Sequence, residues 1–193
     1  MSRCLRCRSD PASGATAASS TGAERRRSLR LDVRFFRTTP RVMPAQAAEA
    51  AALADLYRRA WADRACHLDS RYVAHETSSA TEVAAWLAGG FDVFRIRQDA
   101  RIVGAVRCCF PTRACHVDRL AVDPEARGRG AGHLLLEHAV ARARRAGVAR
   151  AWAQVSPKLE PALALFRSFG FEEVCRVRAE YWGEELALLE LLI

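Results

Sequence analysis

Arg127, Gly128, Arg129, Gly130 and Gly132 fall within six residues of one another, in the stretch EARGRGAGHLLLEHAV (125–140). Glycines at this density let the backbone approach a ligand closely, because no Cβ stands in the way. The leucine- and alanine-rich segment behind them reads as a helix. Its first N–H groups have no intrahelical acceptor, and the positive end of its dipole lies there. A loop of consecutive N–H groups running into a helix start binds phosphate, and a pyrophosphate best. Other uses of such a run fit less well. A dinucleotide fingerprint needs a third glycine three residues after Gly130, where His133 stands. A nucleotide P-loop needs Lys-Ser or Lys-Thr after the last glycine, whereas Gly132 is followed by His133 and Leu134. An RNA-binding arginine–glycine segment would be a disordered repeat, and this run is short and set between a strand and a strong helix. A turn that serves only the backbone is the remaining alternative.

The elements around the run are legible from periodicity and punctuation. Residues 31–39 (LDVRFFRTT) read as a strand ended by Pro40, and 44–61 as a helix with Pro44 in its first turn. A second helix spans about Ser79 to Ala88 and closes at Gly89-Gly90. FDVFRIRQD (91–99) and RIVGAVRCCF (101–110) form a hairpin, and CHVDRLAVD (115–123) the next strand. After the glycine run come a helix from about Gly132 to Ala146, a strand at 149–156, a helix from Pro161 to Phe169, and strands at Phe171–Arg178 and Glu185–Ile193. The fold class is α/β, a mixed central β-sheet flanked by helices.

Composition bounds the rest. The chain has 193 residues, half of them hydrophobic, enough for one ordinary core. Residues 1–30 hold seven arginines against two acids, which is +5 of the formal +8 and leaves +3 for the remainder. They are rich in Ser, Ala and Gly, and predict a disordered basic tail: a targeting segment or the product of a misassigned start. The folded domain is then 31–193. With the charge in the tail, no nucleic-acid partner is expected for the folded part. No apolar run reaches the roughly 20 residues of a membrane span, so no membrane partner is expected either. The cysteine number, seven, is odd, and no apolar leader precedes them. Reduced thiols in the cytoplasm are expected rather than a disulfide framework, with organelle targeting by residues 1–30 as the alternative. Cys4-x-x-Cys7 is half a zinc motif without its other half, and no metal site is expected.

LAVDPEARGRGAGHLLLEHAVARARRAG (120–147) resembles the acetyl-CoA-binding core of the GNAT (Gcn5-related) N-acetyltransferases. Arg127-x-x-Gly130-x-Gly132 matches that family's [RQ]-x-x-G-x-[GA] pattern, and PALALFRSFGFEEV (161–174) resembles its later helix-turn-strand. The resemblance covers everything but the tail. It implies a GNAT-type acyl-CoA N-acyltransferase fold, acetyl-CoA as cosubstrate, and acetyl transfer to a primary amine of a small molecule or protein without a covalent enzyme intermediate. It also allows a homodimer. In the family, backbone groups at the end of the fourth strand hold the pantetheine arm and the thioester carbonyl; Leu120, Ala121 and Val122 occupy that stretch. Arg127, Gly128, Arg129, Gly130, Ala131 and Gly132 would cradle the pyrophosphate, with the fourth and fifth strands splayed to admit the arm.

The acid–base residues depart from the family. Gln154 stands where some members carry a glutamate base, Phe166 where many carry a tyrosine acid, and Leu159 where many carry a cofactor-contacting asparagine. His116 and Asp118 share a face of the fourth strand and are the candidate proton acceptors, His116 by its intrinsic pKa. Tyr181 is the candidate donor to the departing sulfur. His75 and Glu76 are weaker candidates for lining the acceptor site. Loss of the usual acid and base also favours an alternative, an acyl-CoA-binding sensor or regulatory module of the same fold with little turnover.

Overall fold

The computed structural model describes residues 40–193. The strand expected at 31–39, the basic tail, and Cys4 and Cys7 lie outside the described residues. Seven strands form one mixed sheet: β1 (Val42–Pro44), β2 (Asp92–Gln98), β3 (Arg101–Cys109), β4 (Ala114–Val122), β5 (Arg150–Val155), β6 (Glu172–Ala179) and β7 (Glu184–Leu192), in the order β1-β2-β3-β4-β5-β7-β6. Among the described residues only β4 and β5 run parallel. The helices are α1 (Ala50–Ala62), α2 (Ser70–Glu76), α3 (Ala80–Ala88), α4 (Ala131–Arg145) and α5 (Glu160–Ser168). Among the described residues no helix is long and apolar enough to cross a membrane.

The hairpin, the helix behind the glycine run and the closing strands stand where the pattern predicts them. One boundary and one element differ. Pro44 does not open the first helix: it ends β1, and the chain passes a short 3-10 turn at Ala47–Glu49 before α1 begins. α2 has no counterpart in the sequence reading. Seven residues make two turns, too few to show a period, and its one local signal is Asp69, whose side chain caps the Arg71 N–H at 2.9 Å.

The core lies on both faces of the sheet. Val83 of α3 and Leu53, Leu56 and Tyr57 of α1 are fully buried on one side; Leu135, Leu136 and Ala139 of α4 are fully buried on the other. Gly104 of β3 marks the α4 side, since a Cβ there would stand 2.9 Å from Leu135 Cδ1. Arg107, three residues on and of opposite facing, lies over the Trp86 ring of α3 at 4.1 Å.

Two irregularities shape the middle of the sheet. β4 and β5 pair only from Ala114–Arg150 to His116–Trp152 and then part, which opens the expected cleft. One extra residue in β4 breaks its register with β3 between Asp118 and Ala121, and Arg119 sits in this bulge at φ 50°.

Candidate active site

β4 ends in a locked corner. Asp123 is buried, and one of its carboxylate oxygens accepts from Arg59 Nε and Arg101 Nη2, both at 2.8 Å. Its other oxygen caps the turn at Pro124–Ala126 by accepting from the Glu125 N–H. Arg127 then ties the loop down. Its Nε donates to Val122 O at 3.2 Å, and its other nitrogens to Ala60 O at 2.5 Å and to both oxygens of Asp63 at 2.5 and 3.2 Å. The guanidinium is thus spent on the loop's own frame, and the residue offers its backbone to the cleft.

Gly128 and Gly130 adopt φ of 72° and 87°, a region that costs a non-glycine residue about 1–2 kcal/mol. Gly130 is the N-cap of α4, so no side chain caps that helix. Gly132 is closely packed: a Cβ there would stand 3.2 Å from Leu165 Cδ2, so that this side chain would have to shift slightly, and 3.7 Å from Val122 Cγ2, an ordinary contact. Arg129 and Ala131 complete the loop between them. A cavity of about 210 Å³ opens onto this corner. Its walls are Leu120–Val122 of β4, Arg127, Gly128 and Gly132, Ala60 and Trp61 at the end of α1, Arg64 in the turn after it, and Leu159 and the start of α5. An uncapped helix start with glycines in left-handed conformations at the mouth of an apolar slot suits a pyrophosphate with a long apolar arm. Leu159 contributes an apolar wall where an amide would have offered hydrogen bonds.

The side chains capable of acid–base work lie on the α1–α3 face. His116 is stacked on Trp152 of β5 with ring centroids 3.7 Å apart, and its Nδ1 is 3.5 Å from Asp118 Oδ2. Burial holds the His116 imidazole below its ordinary pKa, with Asp118 opposing and Arg107 and Arg119 assisting, so the ring is neutral at pH 7. Asp118 is gripped by Arg107 through two bonds of 2.8 and 2.5 Å.

The bulge turns Arg119 into this face, where it is buried. It donates to Glu76 Oε1 at 2.8 Å and lies 3.1 Å from His75 Nε2. Burial pushes the Glu76 carboxyl up despite Arg119. Burial, then Arg119, pushes His75 down to about 4. His75 stacks on Trp182 at 4.4 Å. The Tyr57 hydroxyl is fully buried near Arg119 and Asp118 and has no hydrogen-bond partner among the described residues.

The structure therefore brings His116, Asp118, Glu76 and His75 to one face, through Arg119 and Arg107. Tyr181 is 85% exposed on the 3-10 turn before β7, edge-on to Trp182, and does not line the cavity. Gln154 follows Trp152 on the freed part of β5. Phe166 is buried edge-on against Phe171, with ring centroids 5.1 Å apart. Sequence reasoning missed Trp61 and Arg64. Trp61 lies in the last turn of α1 and Arg64 in the turn that follows it, and only the fold shows that both border the cleft.

The profile of the Acetyltransferase (GNAT) family matches residues 50–171. The [ribosomal protein bS18]-alanine N-acetyltransferase of Escherichia coli K12 is 36% identical over 77 residues, 38% of this chain and 51% of that protein, so the chain spans about half the length of the curated relatives it matches. Among solved structures, yncA of Salmonella typhimurium with its cofactor acetyl-CoA superposes with a TM-score of 0.65 at 20% identity, over 80% of this chain and 94% of the other. The ribosomal-protein-S18-alanine N-acetyltransferase of Escherichia coli gives 0.65 at 22%, over 80% and 94%. At these identities the structural likeness concerns the fold. The profile spans most of the chain, from α1 to the start of the closing strands, and on that ground the chain belongs to the GNAT acetyltransferase family.

Proposed function

We propose that the chain is an acetyl-CoA-dependent N-acetyltransferase that moves an acetyl group directly to a primary amine. The observation that carries this reading is the single slot joining the freed end of β4, the glycine loop, the end of α1 and α5. In this reading the backbone from Gly128 to Gly132 and the start of α4 hold the pyrophosphate. Leu120, Ala121 and Val122 align the pantetheine arm, and a backbone N–H of that stretch stabilises the oxyanion that develops when the amine attacks the thioester carbonyl. His116, neutral in its buried stack and steadied by Asp118, accepts the ammonium proton directly or through water. The thiol leaves largely as thiolate, since its intrinsic pKa is about 8.5. The exposed Tyr181 reaches the sulfur only if the turn before β7 folds inward over the bound thioester.

The curated relatives bear the name [ribosomal protein bS18]-alanine N-acetyltransferase, which makes a peptide α-amine the first acceptor to test. With a pKa of about 8, an α-amine also needs less help in losing its proton than a lysine does. The proposed compartment is the cytoplasm, for which the odd cysteine set speaks, and a homodimer is the proposed assembly. Calorimetric titration with acetyl-CoA, followed by thiol release in the presence of alanine-initiated peptides and small amines, tests the reading. Binding with turnover of an amine is the expected result.

A second reading rests on a specific observation. Phe166 fills a buried position where a proton donor would stand, and Gln154 offers no base. These two residues suit a module that binds acyl-CoA without turning it over. Tight binding with no acceptor consumed would establish that reading and remove the first.

A further inference from the structure

We propose that Arg64 is a phosphate ligand, taking a pyrophosphate oxygen of the bound cofactor from the turn after α1, outside the glycine loop. The inference rests on the cofactor reading above. Arg64 lines the same cavity as Gly128 and Gly132. Its backbone is fixed in the turn that closes α1, where its N–H donates to Trp61 O at 3.1 Å. Its guanidinium has no ion pair among the described residues. The adjacent carboxylate, Asp63, is taken by Arg127 through both oxygens.

Two cations, Arg64 and Arg127, thus share one acid at a half-buried wall. Burial and the Arg127 charge both work against a charged Arg64, and Asp63 alone favours it. The wall is short of negative charge, and an anion in the slot supplies it. The glycine loop already presents N–H donors at the same opening, so a pyrophosphate seated there meets Arg64 as a second, charged partner. An arginine from outside the glycine loop also gives the site a planar two-pronged donor that backbone amides cannot offer. The plain structural alternative is an arginine whose stem covers Trp61 while its head stays in water.

Calorimetry on the full chain separates these. Arg64→Gln and Arg64→Lys are titrated with CoA, with dephospho-CoA, which lacks the 3′-phosphate, and with pantetheine, which lacks every phosphate. One charged hydrogen bond predicts that Arg64→Gln binds CoA and dephospho-CoA about tenfold more weakly than the parent chain, with pantetheine unchanged. Arg64→Lys recovers part of the loss. The unfolding midpoint of the unliganded Arg64→Gln variant stays at the parent value. Unchanged CoA affinity in Arg64→Gln, or an equal loss on pantetheine, overturns the proposal. A loss that vanishes with dephospho-CoA overturns the pyrophosphate assignment, because the contact then belongs to the 3′-phosphate. If the parent chain itself binds no CoA, the cofactor reading falls and this one with it.

Discussion

His116 lies flat on Trp152, 8° from parallel, on the last rung that joins β4 to β5. One residue further along, the strands no longer pair. The two rings therefore close the root of the cleft, and the same imidazole that closes it is the candidate proton acceptor. Structural and chemical roles can be separated by shape. His116→Phe keeps a flat ring on Trp152 and should retain the parent unfolding midpoint, while turnover falls about a hundredfold, the lower range for a lost acid–base group. His116→Ala should lose both, with a stability cost of about 1 kcal/mol for the stack. Thermal unfolding and steady-state rates on the two variants check this; undiminished turnover in His116→Phe would confine the residue to architecture.

Stability should fall on the acid side of neutrality. His75 is held down to about 4, and His116 is lowered, both mainly by burial. A histidine freed by unfolding titrates near 6.5, so between that value and about 4 the unfolded chain takes up protons that the folded chain refuses. The stabilisation from these rings is complete above pH 6.5 and declines as pH falls toward 4. Urea midpoints at pH 7.5, 6 and 5 should step down, and His75→Asn should flatten part of the slope.

Arg127 should act on the loop through its frame. Arg127→Met removes the bonds to Val122 O and Ala60 O, which are partly buried and charge-assisted, and should cost about 2 kcal/mol of stability. CoA affinity should fall in parallel, although the guanidinium is engaged elsewhere. Differential scanning calorimetry and a binding titration on one sample would show both losses. Reduced affinity with an unchanged unfolding temperature would mean that the side chain leaves its frame to grip the ligand.

Gly130 gives the sharpest disruption. Gly130→Glu places a carboxylate at the uncapped start of α4, at a φ of 87° that costs a side chain about 1–2 kcal/mol. The variant should fold, unfold a few degrees earlier, and bind no CoA by calorimetry. Retained affinity would remove the pyrophosphate site from this loop.

The legible parts of this fold were those whose cause is local. The glycine run could be read because its spacing, the strand before it and the helix after it all fall within one continuous stretch, Ala114 to Arg145. His116 and Asp118 could be placed on one face because strand alternation needs only neighbours. α2 could not be seen, being two turns long, and its site residues are tied to the sheet by Arg119, more than forty positions downstream. That reach depends on the β4 bulge, and no residue in CHVDRLAVD announces a left-handed Arg119. Arg64 stayed hidden for a related reason. Its role rests on Asp63 being claimed by Arg127 from another part of the chain.

Asp123 and Arg127 stitch the glycine loop to β3, α1 and β4 with the slot already open. A seat built in advance needs little ordering when its guest arrives. Amide hydrogen exchange in Pro124–Gly132 should therefore slow only slightly on saturation with CoA. The acceptor side, whose α2 is short, should show the larger change once an amine is bound. Recognition of the donor would then resemble a key entering a fixed lock, and the adjustable part of the protein would be the half that chooses whom to acetylate.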